Sequence, residues 1–175
     1  MADNVLETKR GLEVPRLFTE EDQDVLGSLD YKKVSTKIVE RDGTVVFEMN
    51  DVEVPQDWSQ LASDILASKY IRKAGLKHPP FHEQSAKQVV HRIAHTIRTL
   101  GEEYGCFAEE EDAEAFEAEL TYMLITQRGA FNSPVWFNCG LYHDYGIETG
   151  GGLFRYDPDL KKSVEQPSAY IHPQC

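Results

Sequence analysis

The sequence is poor in cysteine, in positive charge and in long apolar runs. Its three cysteines, Cys106, Cys139 and Cys175, are odd in number and widely spaced, which argues against a disulfide framework and suits a reducing compartment. Lys and Arg number 18 against 30 Asp and Glu, a formal net charge of -12. Such a surface repels a phosphate backbone and disfavours a general nucleic-acid-binding role. With no apolar run near the roughly 20 residues that span a bilayer and no signal-peptide pattern, we expect a cytoplasmic protein without a membrane partner.

What is present fits one soluble globular domain. Hydrophobic residues make up 41% of the 175 residues and charged residues 27%, enough for a real core. Residues 1–30 are polar and charge-mixed, and we expect them to form a mobile arm. A β-hairpin should follow, because Asp42-Gly43 lies between two β-branched runs and glycine accepts the backbone of a tight turn. Cys106 and Cys139 are expected to be small buried apolar residues.

Three helices are predicted after the hairpin. Asp57 is the expected N-cap of the first, with Gln60 completing a capping box and Gly75 ending the helix. The second should begin at Ser85, with Gln88 as its capping-box partner, and end at Gly101. The third should run from about 112 to 128, and the seven acids between 109 and 119 are expected to form a solvated face. The predicted fold class is therefore α+β and mainly helical, with residues 31–128 forming a hairpin-plus-helix domain.

Two motifs suggest chemistry without completing it. His91 and His95 are four residues apart on a predicted helix, a spacing that could grip a metal in a small metallohydrolase. Position 92 is arginine where a His-Glu-x-x-His site needs glutamate, and no third ligand lies nearby in sequence. Gly150-Gly151-Gly152 lacks the following Lys-Ser or Lys-Thr of a phosphate-binding loop. We therefore expect no metal site, and a flexible hairpin connection at the glycines.

The segment around Ser133 is more specific. Pro134 favours an extended backbone before it, which would present the Ser133 hydroxyl from a strand or a loop that leads into one. Asn132, Ser133 and Asn138 are short polar side chains among apolar and aromatic neighbours. Buried polar groups need partners, and two alternatives remain open here: a bound ligand, or a turn satisfied by its own backbone.

Four ordered segments of this sequence resemble the N-terminal region of class II, vitamin B12-dependent ribonucleotide reductases. The resemblance covers about residues 50–175, and the first 30 residues carry none of it. The segments are Val54-Pro55-Gln56-Asp57-Trp58-Ser59-Gln60-Leu61-Ala62 running on to Ser68-Lys69-Tyr70, Glu83-Gln84-Ser85-Ala86-Lys87-Gln88-Val89-Val90-His91-Arg92-Ile93, Asn132-Ser133-Pro134-Val135-Trp136-Phe137-Asn138, and Pro167-Ser168-Ala169-Tyr170 leading to His172-Pro173-Gln174-Cys175.

The resemblance implies a fold and a site. In that family a helical N-terminal region precedes a ten-stranded α/β barrel, so residues 57–128 would be helical and residues 129–175 would form the incomplete start of the barrel, with 132–141 entering its first strand. The serine of the Asn-Ser-Pro motif contacts the ribonucleotide, which gives Ser133 that role, with Asn132, Pro134 and Asn138 in support. Cys175 either precedes the family's first redox cysteine or, in the less favoured register, is that thiol.

The resemblance also implies partners. The family reduces ribonucleotides by radical chemistry with adenosylcobalamin, a cofactor that the barrel would hold, and a thioredoxin-type reductant restores the redox cysteines. We expect the radical cysteine and its companions to lie beyond this chain, so that it is a fragment, inactive alone, that works with the C-terminal remainder of a homodimeric reductase. The alternative is a free-standing helical interaction module without catalysis.

Overall fold

A long antiparallel hairpin is the first regular secondary structure in the described part of the chain. The computed structural model describes residues 11–147 and 154–165. Strands β1 (Tyr31–Val39) and β2 (Val45–Pro55) pair with Tyr31 opposite Pro55 and Val34 opposite Val52. The predicted Asp-Gly turn is confirmed, because Gly43 has a φ of +90° and the Thr44 carbonyl accepts a 2.9 Å hydrogen bond from the amide of Glu40. The Val52 and Val54 side chains are fully buried and anchor this ribbon to the helices.

The first helix begins and ends differently from the prediction. Ser59, not Asp57, is the N-cap of α1 (Gln60–Ile65), and its hydroxyl accepts from the Ala62 amide at 3.1 Å. A single π-helical turn (Leu66–Tyr70) continues α1, so helical structure ends at Tyr70 and not at Gly75. Trp58 explains the later start, because its indole Nε1 donates to the Ile125 carbonyl at 2.8 Å and fixes the chain before the helix.

The next two helices match the sequence pattern more closely. Helix α2 (Ala86–Glu103) has the predicted capping box of Ser85 and Gln88, but it continues through Gly101. That glycine makes room for a side chain, because a Cβ there would lie 2.5 Å from the Phe107 ring. Helix α3 (Glu110–Ile125) begins slightly earlier than expected, with its own capping box from Glu109.

One apolar core joins the hairpin to these helices. It contains buried side chains from β2, the π turn, α2, the end of α3 and the segment after it, including Val52, Val54, Trp58, Leu66, Val89, Val90, Ile93, Leu124, Ile125, Val135 and Trp136. Helices α2 and α3 pack along each other against this layer. Among the described residues, no helix combines the length and apolar character needed to cross a bilayer.

The predicted mobile arm packs against the helices over its described part. Val25 is buried in the core, and Leu12 bridges to Phe107. The carboxylate of Glu119 on α3 accepts from the amides of Phe18 and Thr19 at 3.0 and 2.8 Å and from the Thr19 hydroxyl at 2.7 Å. The expectation that the acidic run is a solvated face is therefore wrong for Glu119, which is buried and holds residues 18 and 19 in place.

The strand expected over 132–141 is not formed. Residues 133–138 form the short helix α4 (Ser133–Asn138), and α5 (Leu141–Tyr145) follows directly. Proline in the first turn of a helix loses no intrahelical hydrogen bond, so Pro134 starts α4 although the surrounding sequence is β-prone. A second hairpin, β3 (Phe154–Asp157) with β4 (Lys162–Glu165), ends the described part. The chain is thus mixed α and β, as predicted, and the barrel expected over 129–175 stays a prediction.

Candidate functional site

Ser133 stands exposed at the first position of helix α4. Asn132 is the N-cap, with extended backbone and no side-chain hydrogen bond to the helix, and Pro134 follows in the first turn. The Ser133 hydroxyl lies 3.1 Å from the Tyr70 hydroxyl, so its partner is another side chain and not its own backbone. Asn132 is exposed beside it, whereas Asn138 is half-buried at the far end of α4. The structure therefore brings Asn132, Ser133 and Pro134 together and separates Asn138 by one helix length.

Tyr70 links this helix to the π turn. It is the last residue of that turn, and π-helical turns inside helices are frequent at functional sites. Its ring contacts those of Trp136 and Phe137, with centroids 5.7 and 5.4 Å apart. Aromatic pairs in this distance range are stabilising beyond the area that they bury. The Tyr70 hydroxyl is therefore held at a fixed position beside the Ser133 side chain.

A buried ion pair, Arg92 with Glu83, contacts the backbone of the segments that carry Tyr70 and Ser133. The side chains of Arg92 and Glu83 are fully buried, with Nε and Oε1 2.8 Å apart. The Arg92 guanidinium also donates to the carbonyls of Cys139 at 2.5 Å, Trp136 at 2.7 Å and Tyr70 at 3.2 Å. One arginine thus holds the end of the π turn and the C-terminal half of α4 in a single arrangement.

Glu83 completes this network on its other side. Its carboxylate accepts from the Arg72 amide at 2.7 Å and from the Tyr145 hydroxyl at 2.9 Å. Burial, and next to it the negative charge of Glu83, raises the pKa of Tyr145, so this hydroxyl stays protonated and keeps donating. Both members of the pair therefore make further hydrogen bonds to protein groups, which is what a buried ion pair needs to be tolerated.

Sequence reasoning missed Tyr70, Glu83 and Arg92. Arg92 entered it as the residue that spoils a His-Glu-x-x-His motif and as part of a segment that resembles the family, without a role of its own. A signal was present, because Val89, Arg92, Ile93 and Thr96 recur at helical spacing and all four are buried. A charged residue on the buried stripe of a helix needs a buried partner. The partner itself could not be found from the sequence, since Glu83 lies outside the helix.

An apolar cleft adjoins the Ser133 region. It has a volume of about 270 Å³ and is lined by Trp58, Leu66, Tyr70, Phe131 and Trp136 among others. Tyr70 is the residue that both lines this cleft and contacts Ser133. The volume lies just below the roughly 300–1,000 Å³ typical of drug-sized ligands. A corrin macrocycle is larger than such ligands, so the cleft does not fit a cobalamin.

The predicted spacing places the side chains of His91 and His95 next to each other on α2. The rings of His91 and His95 stack with centroids 5.2 Å apart, and His95 Nδ1 lies 3.4 Å from a Glu117 carboxylate oxygen. Within residues 11–147 and 154–165, no group of three or more His, Cys, Asp or Glu side chains is arranged to hold a metal ion.

The predictions for the three cysteines fare differently. Cys139 is buried, as predicted, and its carbonyl is one of the Arg92 acceptors. Cys106 is exposed, so the expectation that it is buried is wrong; it follows the end of α2, where its amide bonds to the Gly101 carbonyl. Cys175, the alternative redox thiol, lies outside the described residues, as do Gly150, Gly151 and Gly152.

Comparison with known proteins identifies the family. The family model described as class II vitamin B12-dependent ribonucleotide reductase matches residues 32–127. The chain is 39% identical to the vitamin B12-dependent ribonucleotide reductase of Agrobacterium fabrum and 38% identical to that of Bradyrhizobium diazoefficiens, in each case over 93% of this chain. A match to the Streptomyces clavuligerus protein of the same name is 51% identical over 57% of this chain. The chain therefore belongs to the class II vitamin B12-dependent ribonucleotide reductase family, and corresponds to its N-terminal region.

The chain is short beside these relatives. It spans 15% of the length of the Agrobacterium protein, 16% of the Bradyrhizobium protein and 10% of the Streptomyces protein. The matches extend over the hairpin and helices that carry Tyr70, Glu83 and Arg92. The resemblance first seen in four short motifs is thus confirmed over most of the chain.

Proposed function

We propose that this chain is the N-terminal portion of an enzyme that reduces ribonucleotides to 2′-deoxyribonucleotides, and that Ser133 contacts the ribonucleotide. Family membership supports the reaction, because the curated relatives are named vitamin B12-dependent ribonucleotide reductases. The observation that carries the site is the exposed Ser133 hydroxyl, 3.1 Å from the Tyr70 hydroxyl. The chain's role would be to present that hydroxyl and to orient the backbone around it.

The chemistry of a hydroxyl suits this role. A serine hydroxyl has one donor and two acceptor lone pairs, so a bond to Tyr70 leaves capacity for a polar group of a ligand. Asn132 adds an amide beside it that makes no capping bond to the helix. The Arg92 bonds to the Trp136 and Cys139 carbonyls hold the helix behind Ser133. A contact prepared in this way loses little conformational entropy when a ligand binds.

Adenosylcobalamin belongs to this proposal as the cofactor of the whole enzyme. The apolar cleft of about 270 Å³ beside Tyr70 is too small for a corrin, so we assign the cofactor to other parts of the enzyme and no radical step to this chain. The ten-stranded barrel, the thioredoxin-type reductant, the homodimer and the cytoplasmic location concern the complete reductase and remain predictions. So does the expectation that the chain is inactive alone.

Replacing Ser133 tests the proposed contact. In a ribonucleotide reductase assembled from this chain and the remainder of the enzyme, Ser133→Ala should reduce kcat/KM by about 5- to 150-fold, because an unmet polar partner costs about 1–3 kcal/mol. Ser35→Ala, at an exposed position of β1, is the matched control and should leave kcat/KM unchanged. Equal kinetics for both variants would remove Ser133 from the site, whereas failure of this chain to restore turnover with the remainder of the enzyme would favour the interaction-module alternative.

A further inference from the structure

A second cavity opens on another part of the molecule. It has a volume of about 540 Å³ and lies between the loop over residues 76–82, the first turns of α2, and α5. We call it the histidine cavity and define it by Lys77, His78 and His82 on the loop and by His143 and Asp144 on α5. It shares no lining residue with the apolar cleft beside Tyr70. Its volume is in the range of sites for small molecules.

The lining of the histidine cavity is unlike the rest of this acidic chain. The chain carries 30 Asp and Glu against 18 Lys and Arg, yet one lysine and three of its six histidines line this cavity together with a single carboxyl group, Asp144. A lysine ammonium offers three donors, and a protonated histidine donates from both ring nitrogens. Charge-assisted bonds from such groups are the usual means of holding phosphate oxygens. The cavity is therefore suited to an anion.

Asp144, the one acid in the lining, opposes an anion less than an ordinary aspartate would. Burial is the main influence on it and raises its pKa, although His91, His95, Arg92 and His143 act in the opposite direction. Its Oδ2 atom is buried and has no hydrogen-bond partner among the described residues. A carboxyl group that protonates more readily is neutral more often, and in that form it donates a hydrogen bond.

The walls of the cavity are fixed without any ligand. On the loop side, the Phe81 amide donates to the His78 carbonyl at 2.8 Å, and His82 Nδ1 lies 2.8 Å from the Glu83 carbonyl. On the helix side, the Tyr145 hydroxyl donates to the buried Glu83 carboxylate at 2.9 Å. Glu83 thus connects the loop to α5.

The Lys77 ammonium lies close to the end of α5 at the edge of the cavity. Gly146 ends α5 with a φ of +61°, and a Cβ at that position would lie 2.9 Å from Lys77 Nζ. The absence of a side chain at Gly146 therefore lets the ammonium approach the end of α5.

We propose that the histidine cavity binds the phosphate group of a small phosphorylated molecule. A metal ion is the less favoured occupant, because the histidines and Asp144 are not among any group of three or more side chains arranged to coordinate one in the described part of the chain. The proposal does not depend on Ser133 or on the reaction proposed above, since the two regions share no lining residue.

Titration of this chain with pyrophosphate, followed by NMR of the histidine Cε1–H signals, tests the site. At constant pH and ionic strength, pyrophosphate should shift signals of His78, His82 and His143 along saturable curves, and sodium chloride should not.

Lys77→Gln should weaken the affinity for pyrophosphate about fivefold, the effect of losing one exposed ionic contact. Lys37→Gln, an exposed lysine of β1, is the matched control and should leave it unchanged. Asp144→Asn should tighten binding, because it removes a carboxylate from the wall.

Three results would overturn the proposal. Histidine shifts that rise linearly with the pyrophosphate concentration would indicate general screening of an acidic protein. Equal effects of Lys77→Gln and Lys37→Gln on those shifts would indicate the same. Shifts of His91 and His95 without those of His78, His82 and His143 would place the anion elsewhere.

Inorganic phosphate serves as a second probe: saturation by both ions indicates recognition of the phosphoryl group itself. Because Lys77 is exposed, its variant should keep the folded NMR spectrum, so lost binding cannot be attributed to unfolding.

Discussion

Arg92 on α2 and Glu83 before it form a fully buried ion pair, with Nε and Oε1 2.8 Å apart. Through it the π turn, α4 and α5 are fixed to one helix, because Arg92 donates to carbonyls of the first two and Glu83 accepts from Tyr145 of the third. The pair therefore couples the backbone near Ser133 to one wall of the histidine cavity.

Removing one member of this pair should be strongly destabilising. Arg92→Met leaves the Glu83 carboxylate buried without its cation, and losing one partner of such a pair typically costs about 3–5 kcal/mol. The free energy of unfolding, measured by urea denaturation, should fall by that amount. Adding Glu83→Leu to Arg92→Met should recover part of the loss, because no buried charge then remains unpaired.

An exposed pair on the same helix provides the control for that measurement. Arg98 and Glu102 form an i,i+4 ion pair near the surface, 2.8 Å apart, and such pairs are worth about 0.3–0.5 kcal/mol. Glu102→Gln should therefore change the free energy of unfolding by less than about 1 kcal/mol. Similar losses for Glu102→Gln and Arg92→Met would contradict the special role of the buried pair.

Tyr70→Phe should affect turnover more than stability. The change removes the hydroxyl that lies 3.1 Å from Ser133 Oγ and keeps the ring packed on Trp136 and Phe137. We expect the free energy of unfolding to fall by about 1 kcal/mol or less, and kcat/KM of the assembled reductase to fall because Ser133 loses its fixed orientation. In a double-mutant cycle with Ser133→Ala the two losses should not add, since both act through one hydroxyl contact.

A tyrosine away from the site distinguishes this effect from a general one. Tyr104 is 78% exposed after α2, and Tyr104→Phe should change neither stability nor kcat/KM. Strict additivity of Tyr70→Phe and Ser133→Ala would mean that the hydrogen bond between the two hydroxyls has no part in substrate binding.

Glu119 should make the packing of residues 11–30 sensitive to acid. Burial would raise the pKa of this carboxyl, but hydrogen bonds from Phe18, Thr19 and Leu17 outweigh it and hold the pKa below the ordinary value of 4.5. A lowered folded-state pKa contributes stability that is present above 4.5 and is lost as the pH falls through the folded value. We expect the protection factors of the Phe18 and Thr19 amides, which correct hydrogen exchange for its intrinsic pH dependence, to fall in that window.

Two glutamine variants on α3 isolate this contribution. Glu119→Gln does not titrate, so its stability should be lower above pH 4.5 and should show less dependence on pH below it. Glu114→Gln, at an exposed position of the same helix, should retain the pH dependence of the original chain. Identical pH profiles for Glu119→Gln and the unchanged chain would assign the acid sensitivity to other carboxyl groups.

Local signals made the hairpin and the start of α2 predictable, and long-range contacts explain where prediction failed. Asp42-Gly43 and the Ser85–Gln88 capping box act within a few residues, so the sequence alone indicated both. Pro134 starts the helix over 133–138, and Arg92 holds that helix against α2 by bonds to the Trp136 and Cys139 carbonyls across 44 and 47 residues. No window of the sequence contains both ends of such a bond. The same reasoning applies to the arm, whose anchor Glu119 lies 100 residues from Thr19.

The candidate site could be predicted in part. The Asn-Ser-Pro motif indicated Ser133, and the structure places its hydroxyl at an exposed position next to Tyr70, which lines the apolar cleft. Tyr70 could not be inferred, because its relation to Ser133 depends on a π turn that ends at that residue. A π turn displaces the following side chains from ordinary helical spacing, so the α-helical periodicity of the segment predicts the wrong neighbours for Tyr70.

Gly140 offers a final test of how closely α4 and α5 pack against α2. It has a φ of +85°, and a Cβ there would lie 2.2 Å from the Arg92 carbonyl oxygen. Gly43 in the hairpin turn has a similar φ of +90° but no atom within 4 Å of the same position. Both substitutions by alanine incur the left-handed backbone penalty of about 1–2 kcal/mol, and Gly140→Ala must also displace backbone. By urea denaturation, Gly43→Ala should therefore cost about 1 kcal/mol, and Gly140→Ala clearly more, with loss of protection at the amides of α4 and α5. Equal costs would mean that α4 and α5 do not depend on the close approach of Gly140 to Arg92.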